Sequence, residues 1–329
     1  MRAMRSARLV ALVLAAVATA AAAPVARAEY PERPVTFVVP YAPGGAVDLL
    51  ARALGQQLEQ KLGVPFVIEN RVGASSAIAA AYVAKAPADG YTILMATSTT
   101  MAINSAVFKK MSYTPLVDLA PLALIANSPF VLVVNNALPV RSVTDLVQLA
   151  KSKPGELSYG SSGPGSAHHL DMQLLASMTG IQLTHVPYKG TVPALNDVVA
   201  GHIQMMFADS SAAIPMIRSG ALRTLGVSTA RRLEGAPELP SIAENGLPGY
   251  DASAWLMVVA PSNMPKPVVE RLYKTIQAIQ GNPGFRASLV ERGLGPLNSP
   301  APDELEQFVR AEIVRWGKVA QDAGVAQTQ

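Results

Sequence analysis

Short apolar runs alternate along this chain with stretches whose apolar residues recur every three or four positions, the pattern of strands covered by helices in an α/β protein. Val35-Thr36-Phe37-Val38-Val39 reads as a strand and runs into Pro40-Tyr41-Ala42-Pro43-Gly44-Gly45-Ala46, a turn. Leu50, Leu54, Leu58 and Leu62 then lie four residues apart with Gly63 as a stop, which predicts one helix. Residues 66–68 and 91–96 read as strands, with a helix of small residues over 77–86 between them, closed by Pro87. Residues 122–134 form an extended apolar stretch, interrupted by Asn127-Ser128-Pro129, that leads into a second lobe. There Ser142 and Asp145 have the spacing of a helix-start box for residues 143–151, ended by Pro154-Gly155.

The opening device then recurs. Leu157-Ser158-Tyr159 runs into Gly160-Ser161-Ser162-Gly163-Pro164-Gly165-Ser166 and a helix across Leu170, Leu174 and Met178, closed by Gly180. Residues 192–200 predict a helix with Pro193 in its first turn, and residues 203–207 and 222–227 predict strands. After a Pro- and Gly-rich stretch at 237–249, residues 255–260 read as a buried strand returning to the first lobe. Helices follow at 268–279, 285–292 and 303–323, the last with Leu305, Phe308, Val309, Ile313 and Trp316 on one face. The expected organisation is a lobe of residues 29–129 and 249–329 and a second lobe of residues 130–248, each with a mixed, mainly parallel sheet, around a central cleft.

A helix that starts at a glycine turn presents unpaired backbone N–H groups and a partial positive charge, and so attracts an anion without a basic side chain. Two such turns, over a hundred residues apart, suit two jaws that hold a small carboxylate between them.

The first residues change the electrostatic reading. Arg2, Arg5 and Arg8 precede an apolar run from Leu9 to Ala23 and an Ala26-Arg27-Ala28 cleavage signal, the pattern of a secretory signal peptide cut after Ala28. The run is shorter than the roughly 20 residues a spanning helix needs. Without the four arginines of residues 1–28, the 27 basic residues fall to 23, equal to the 23 acidic ones, so the +4 charge gives no support for nucleic-acid binding. There are no cysteines, which excludes disulfides and thiolate metal sites.

Ligands of open α/β sheets sit beyond the carboxyl ends of strands, and the loops there are rich in Gly, Ser and Thr. The candidate ligand contacts are Tyr41, Ala42, Pro43, Gly44 and Gly45 in the first turn, and Ser98 and Thr99 after the third strand. Ser161, Ser162, Gly163, Gly165 and Ser166 form the second turn, with Ser166 also a natural helix cap. Asp48 is a dipole partner or a ligand contact, Lys189 is the one cation in these loops, and Asp209 could accept from a ligand amine or hydroxyl. No catalytic constellation, metal site or cofactor is expected. His168 and His169 point about 100° apart on a helix and cannot chelate one ion as an i, i+4 pair would. Gly160-Ser161-Ser162-Gly163-Pro164 approaches a nucleophile elbow but ends in Pro164. An exported hydrolase using Ser162 or Ser166 is the alternative, and the sequence offers it no base. A ligand-sensing partner of a membrane signalling protein is another.

The ordered segments resemble the Bug-type extracytoplasmic receptors of tripartite tricarboxylate transporters over nearly the whole chain. They include Pro31-Glu32-Arg33-Pro34-Val35, residues 40–45 with Asp48, Glu69-Asn70-Arg71-Val72-Gly73-Ala74, Asp89-Gly90-Tyr91-Thr92, residues 159–166, His185-Val186-Pro187-Tyr188-Lys189-Gly190 and Glu244-Asn245-Gly246-Leu247-Pro248-Gly249-Tyr250. The resemblance implies a two-lobed periplasmic binding protein of the type II, Venus-flytrap kind. It implies closure on a carboxylate held by residues 41–45, residues 160–166 and Asp209, and delivery to membrane transporter subunits. The protein is expected to act as a monomer. One departure stands out: where the family usually continues with glycines, this chain has Ser75-Ser76-Ala77.

Overall fold

A computed structural model describes residues 30–322 and 324–328; the expected signal peptide and its cleavage point lie outside the described residues. The strands are β1 (Val35–Val39), β2 (Phe66–Asn70), β3 (Thr92–Thr97), β4 (Leu119–Val134), β5 (Ser158–Ser161), β6 (Thr184–Pro187), β7 (Met205–Asp209), β8 (Arg223–Val227), β9 (Ser253–Pro261) and β10 (Gly295–Pro296). They follow the order β2-β1-β3-β9-β4-β7-β5-β6, with β8 and β10 also paired to β4. The sheet is mixed. Its two wings are parallel, β2-β1-β3 on one side and β7-β5-β6 on the other, while β9 and β4 run antiparallel through the middle.

The 16-residue β4 ties the halves together. Residues 119–129 pair with β9, and residues 130–134 pair with β7 and β8. Contrary to the sequence reading, Asn127-Ser128-Pro129 does not interrupt the strand. Pro129 lacks an N–H to give a ladder, but it lies where β4 changes partners, opposite Ser253 and just before Phe130 meets Asp209. A changeover tolerates the missing donor.

The helices are α1 (Ala46–Leu62), α2 (Ala77–Ala84), α3 (Asn104–Val107), α4 (Val143–Ser152), α5 (Ala167–Thr179), α6 (Thr191–Ala200), α7 (Ser210–Arg218), α8 (Lys266–Gln280), α9 (Pro283–Glu291) and α10 (Pro302–Asp322). The local signals explain most of them. In α1, Leu50, Leu54 and Leu58 are fully buried and Gly63 takes the left-handed C-cap at φ 75°. The Ser142/Asp145 capping box of α4 is formed in both directions, and the Ser166 hydroxyl accepts from the His169 amide to start α5. The short α7 was hidden from sequence by Pro215 inside it, and β6 by its edge position and terminal Pro187. Among the described residues no helix is long and apolar enough to cross a membrane.

The last helix, α10, lies against β4 and the turn Thr99–Ile103. It buries Leu305, Val309, Trp316 and Ala320 together with one acid, Glu312. That acid is satisfied: Trp255 Nε1 of β9 donates to it at 2.6 Å and Trp316 Nε1 at 3.0 Å. Glu312→Ala should strand two buried indole N–H groups and lower stability by about 2–4 kcal/mol. The checks are a chemical denaturation curve and tryptophan emission, which should shift to the red at lower denaturant than in the parent.

Candidate functional site

Where β4 and β9 pass between the two wings of the sheet, a cavity opens between the β3 side and the β7 side. Its first wall carries Tyr41, Ala42 and Gly45 from the first turn, Ala46 and Val47 from the start of α1, and Thr97 and Thr99 from the end of β3. The opposite wall carries Ser162, Ala167, His168, Thr191 and Asp209. Ser128, Phe130, Ala254 and Leu256 of β4 and β9 make the floor. The polar groups thus converge from two walls over a largely apolar floor, the usual composition of a small-molecule site.

The start of α1 has no side-chain cap: Gly45 is extended (φ −80°, ψ 171°) and leaves first-turn amides facing the cavity. The carboxylate of Asp209 lies close to this start, where a β-carbon on Gly45 would stand 3.6 Å from Asp209 Oδ2. The Thr191 hydroxyl donates to Asp209, and His168 Nε2 stands 3.5 Å from its Oδ1. Burial would raise the Asp209 pKa, but the charge and hydrogen bond of His168, the Thr191 hydroxyl and the Ala46 amide outweigh it and hold the carboxyl below its ordinary value. On the first wall, burial raises the Tyr41 pKa, reinforced by the charge of Asp209 and opposed by the Thr97, Thr99 and Ser76 hydroxyls. Tyr41 is therefore a neutral phenol at physiological pH.

The walls touch around the cavity rim. The Ala42 amide donates to the Lys189 carbonyl at 3.4 Å, the Ala167 amide to Thr99 Oγ1 at 3.1 Å, and the Ser75 hydroxyl to the Pro164 carbonyl. Gly190 and Gly163 allow this approach. A Cβ on Gly190 would stand 3.2 Å from that of Ala42, and one on Gly163 only 2.8 Å from Ser75 Oγ.

Of the residues named from sequence, Tyr41, Ala42, Gly45, Thr99, Ser162 and Asp209 line the cavity. The others lie behind or beside it. Asp48 is buried, and accepts from the Gly44 amide, from Asn70 and from both Arg52 Nε and Nη2, so it locks the first turn. Burial would raise its pKa, but these donors keep it below the ordinary value. Ser161 is fully engaged, with Gly163 and with His185 Nε2 at 2.6 Å, and Ser166 is the α5 cap. Gly163 and Gly165 shape the second turn at φ 124° and 71°. Ser98 is buried outside the lining, Pro43 and Gly44 are exposed, and Lys189 gives its carbonyl to Ala42 while its residue is exposed.

The sequence reading names none of the floor residues, and it omits Ala46, Val47 and Thr97 of the first wall and Ala167, His168 and Thr191 of the second. His168 was set aside as a metal ligand, and Thr191 opens a helix that had been started one residue late. The two adjacent histidines do diverge. His168 Nδ1 meets Ser162 Oγ at 2.8 Å, its ring packing 4.5 Å from Phe130, while His169 turns to stack on His185 at 4.1 Å. The sequence reading that no base accompanies the loop serines is thereby corrected: Ser162 has an imidazole partner that in turn faces Asp209.

A family model described as tripartite tricarboxylate transporter family receptor matches residues 50–325. The chain belongs to this receptor family. Among solved structures, the receptor is 42% identical to R. palustris Rpa4515 with adipate, at a TM-score of 0.88, covering 91% of this chain and 99% of that one. It is 32% identical to the periplasmic binding protein BugD, at a TM-score of 0.85, covering 90% and 99%. It is also 32% identical to MatC from Rhodopseudomonas palustris with bound malate, at 0.83, covering 88% and 99%. The receptor is thus a Bug-type solute-binding protein with the α/β fold of periplasmic binding proteins.

The second turn of this receptor depends on neutral histidines. His169 Nδ1 accepts from the Gly165 amide at 2.9 Å. Burial, and then the charge of His185, depress the His169 pKa from 6.5 to about 3, and burial depresses that of His185 to about 4. The unfolded chain takes up these protons near pH 6.5 and the native one only well below it, so this stability is complete above 6.5 and is lost as pH falls toward 4. Each histidine contributes a slope of up to about 1.4 kcal/mol per pH unit in that window. Melting temperature followed against pH should be flat above 7 and fall below 6.5, with a shallower fall in His169→Asn.

Proposed function

We propose that this receptor is an exported periplasmic protein, cut after Ala28, that captures a small carboxylate between two lobes and delivers it to the membrane subunits of a tripartite transporter. It acts as a monomer and performs no chemistry on its ligand. Residues 29–129 with 249–329 form one lobe and residues 130–248 the other. The change of β4 partners between Pro129 and Phe130 supports that boundary.

The observation that carries the reading is the convergence of an uncapped helix start, the Tyr41 phenol, and the Thr97 and Thr99 hydroxyls on one wall of a single cavity. These are donors, and none of them is basic. The ligand carboxylate is assigned to the donors of this wall, with its carbon chain over Phe130, Ala254 and Leu256. Donors fixed in a partly dehydrated site hold an anion more strongly than water-exposed ones. Ser162 and the start of α5 complete the grip on closure, while Asp209 comes close to the start of α1. The adipate and malate bound by the two R. palustris relatives agree with a carboxylate of this size.

One observation favours a second reading. Ser162, His168 and Asp209 connect in the order of a hydrolytic triad, and all three line the cavity. Yet Nδ1 rather than Nε2 faces the serine, and Asp209 is already engaged by Thr191. Exposure to p-nitrophenyl esters should therefore give no release above the blank, and none that depends on Ser162.

A thermal-shift panel of mono-, di- and tricarboxylates, acidic amino acids and aromatic carboxylates tests the main reading. A true ligand at 100 times its Kd should add about 2.7 kcal/mol of stability. Thr99→Val should weaken binding at least tenfold by calorimetry while leaving the receptor folded. A panel in which sugars or peptides raise the melting temperature and no carboxylate does would overturn the proposal.

A further inference from the structure

We propose that Ser128 is the residue by which this receptor selects carboxylates bearing a hydroxyl on their carbon chain over the same chain without one. The inference rests on the carboxylate-receptor reading above and extends it to ligand class.

Ser128 belongs to β4, on the cavity floor, and is 1% exposed. Its hydroxyl has no hydrogen-bond partner. Two facts set its direction. Side chains two apart on a strand share a face, and Phe130, two residues on, also lines the cavity and packs against His168. Ser128 is also in register with Ala254 of β9, another floor residue, and cross-strand partners point to the same side. Two other buried serine hydroxyls without a partner, those of Ser98 and Ser211, belong to residues outside the lining.

A buried hydroxyl left unpaired opposes folding. An alanine would fit this floor, beside Phe130, Ala254 and Leu256, at no such cost. The polar groups of the walls are by contrast paired: Thr99 with the Ala167 amide, Thr191 with Asp209, and Ser162 with His168. Ser128 is thus a free donor and acceptor set among apolar neighbours, beneath the place assigned to the ligand chain. A chain hydroxyl completes it; a methylene leaves it unpaired. A site built to pair with a ligand hydroxyl discriminates strongly against the analogue that lacks it. β4 runs through both halves of the sheet, so the floor group keeps its place relative to either wall.

The test uses matched pairs, succinate with each enantiomer of malate and glutarate with each enantiomer of 2-hydroxyglutarate, titrated calorimetrically into the receptor and into Ser128→Ala. In the parent, one hydroxy acid should bind about 5- to 20-fold more tightly than its unsubstituted partner. In Ser128→Ala this ratio should fall to within twofold of one. The unsubstituted acid should bind the variant as well as or better than the parent. The ligand-free variant should melt at the same or a higher temperature, which separates loss of selectivity from loss of fold. Parent binding with no preference for a hydroxyl, or a preference that survives in Ser128→Ala, overturns the role of Ser128 and leaves the carboxylate reading intact. Failure of every acid here and in the wider panel overturns both.

Discussion

The carboxylate of Asp209, at the end of β7, lies close to the first turn of α1, where a β-carbon on Gly45 would stand 3.6 Å from its Oδ2. Much of the site follows from this one contact. A helix start without a side-chain cap needs an acceptor, and Asp209 is an acceptor that burial alone would neutralise. Each answers the other only when the two walls are together. His168 and Thr191 hold the acid on its own side, so what arrives at α1 is a charged and oriented group.

The rim carries a less comfortable solution. Ala74, Ser75 and Ser76 all have positive φ, at 45°, 46° and 76°, a region that costs residues with a β-carbon roughly 1 kcal/mol or more each. The chain thus keeps a conformation suited to glycine without the residue that makes it cheap. The hydroxyls offset part of this. Ser75 donates across the cavity to the Pro164 carbonyl, Ser76 accepts from Thr100 Oγ1 at 3.0 Å, and Asn104 Nδ2 holds the Ser75 carbonyl at 3.0 Å. Glycines could make none of the side-chain contacts. The serines therefore exchange local ease for a contact that exists only with the walls joined, and they narrow the rim above Gly163.

The element order was legible in the sequence because its signals are local. Leucine spacing, Gly63, the Ser142/Asp145 box and the Ser166 cap each act within a turn or two, and each is realised. The two glycine turns were legible as strand-to-helix turns for the same reason. What the sequence did not expose is whatever depends on contact between distant segments. Ser128 looked like part of a break because Asn and Pro flank it; only the pairing of β4 with β9 and β7 makes it a floor residue. His168 and His169 are indistinguishable by composition, yet one faces Ser162 and Asp209 and the other a buried imidazole stack. Conversely, Gly163, Gly165 and Ser161 carry the strongest sequence signal but serve the turn rather than the cavity surface. Glycine marks where backbone must bend, and a ligand meets what the bend presents.

Walls and floor have different physical duties. On the proposed closure, the walls meet where the Ala167 amide donates to Thr99 and Asp209 nears the start of α1, so their contribution is coupled to the cost of bringing the lobes together. A first-wall donor that improves any carboxylate improves them all, because every ligand presents the same charged group there. The floor lies on strands shared by both halves and needs no closure to form. Its groups meet the part of the ligand that differs from one acid to the next. Change at Phe130, Ala254, Leu256 or Ser128 can therefore redirect choice among acids while the closing contacts at the rim stay as they are.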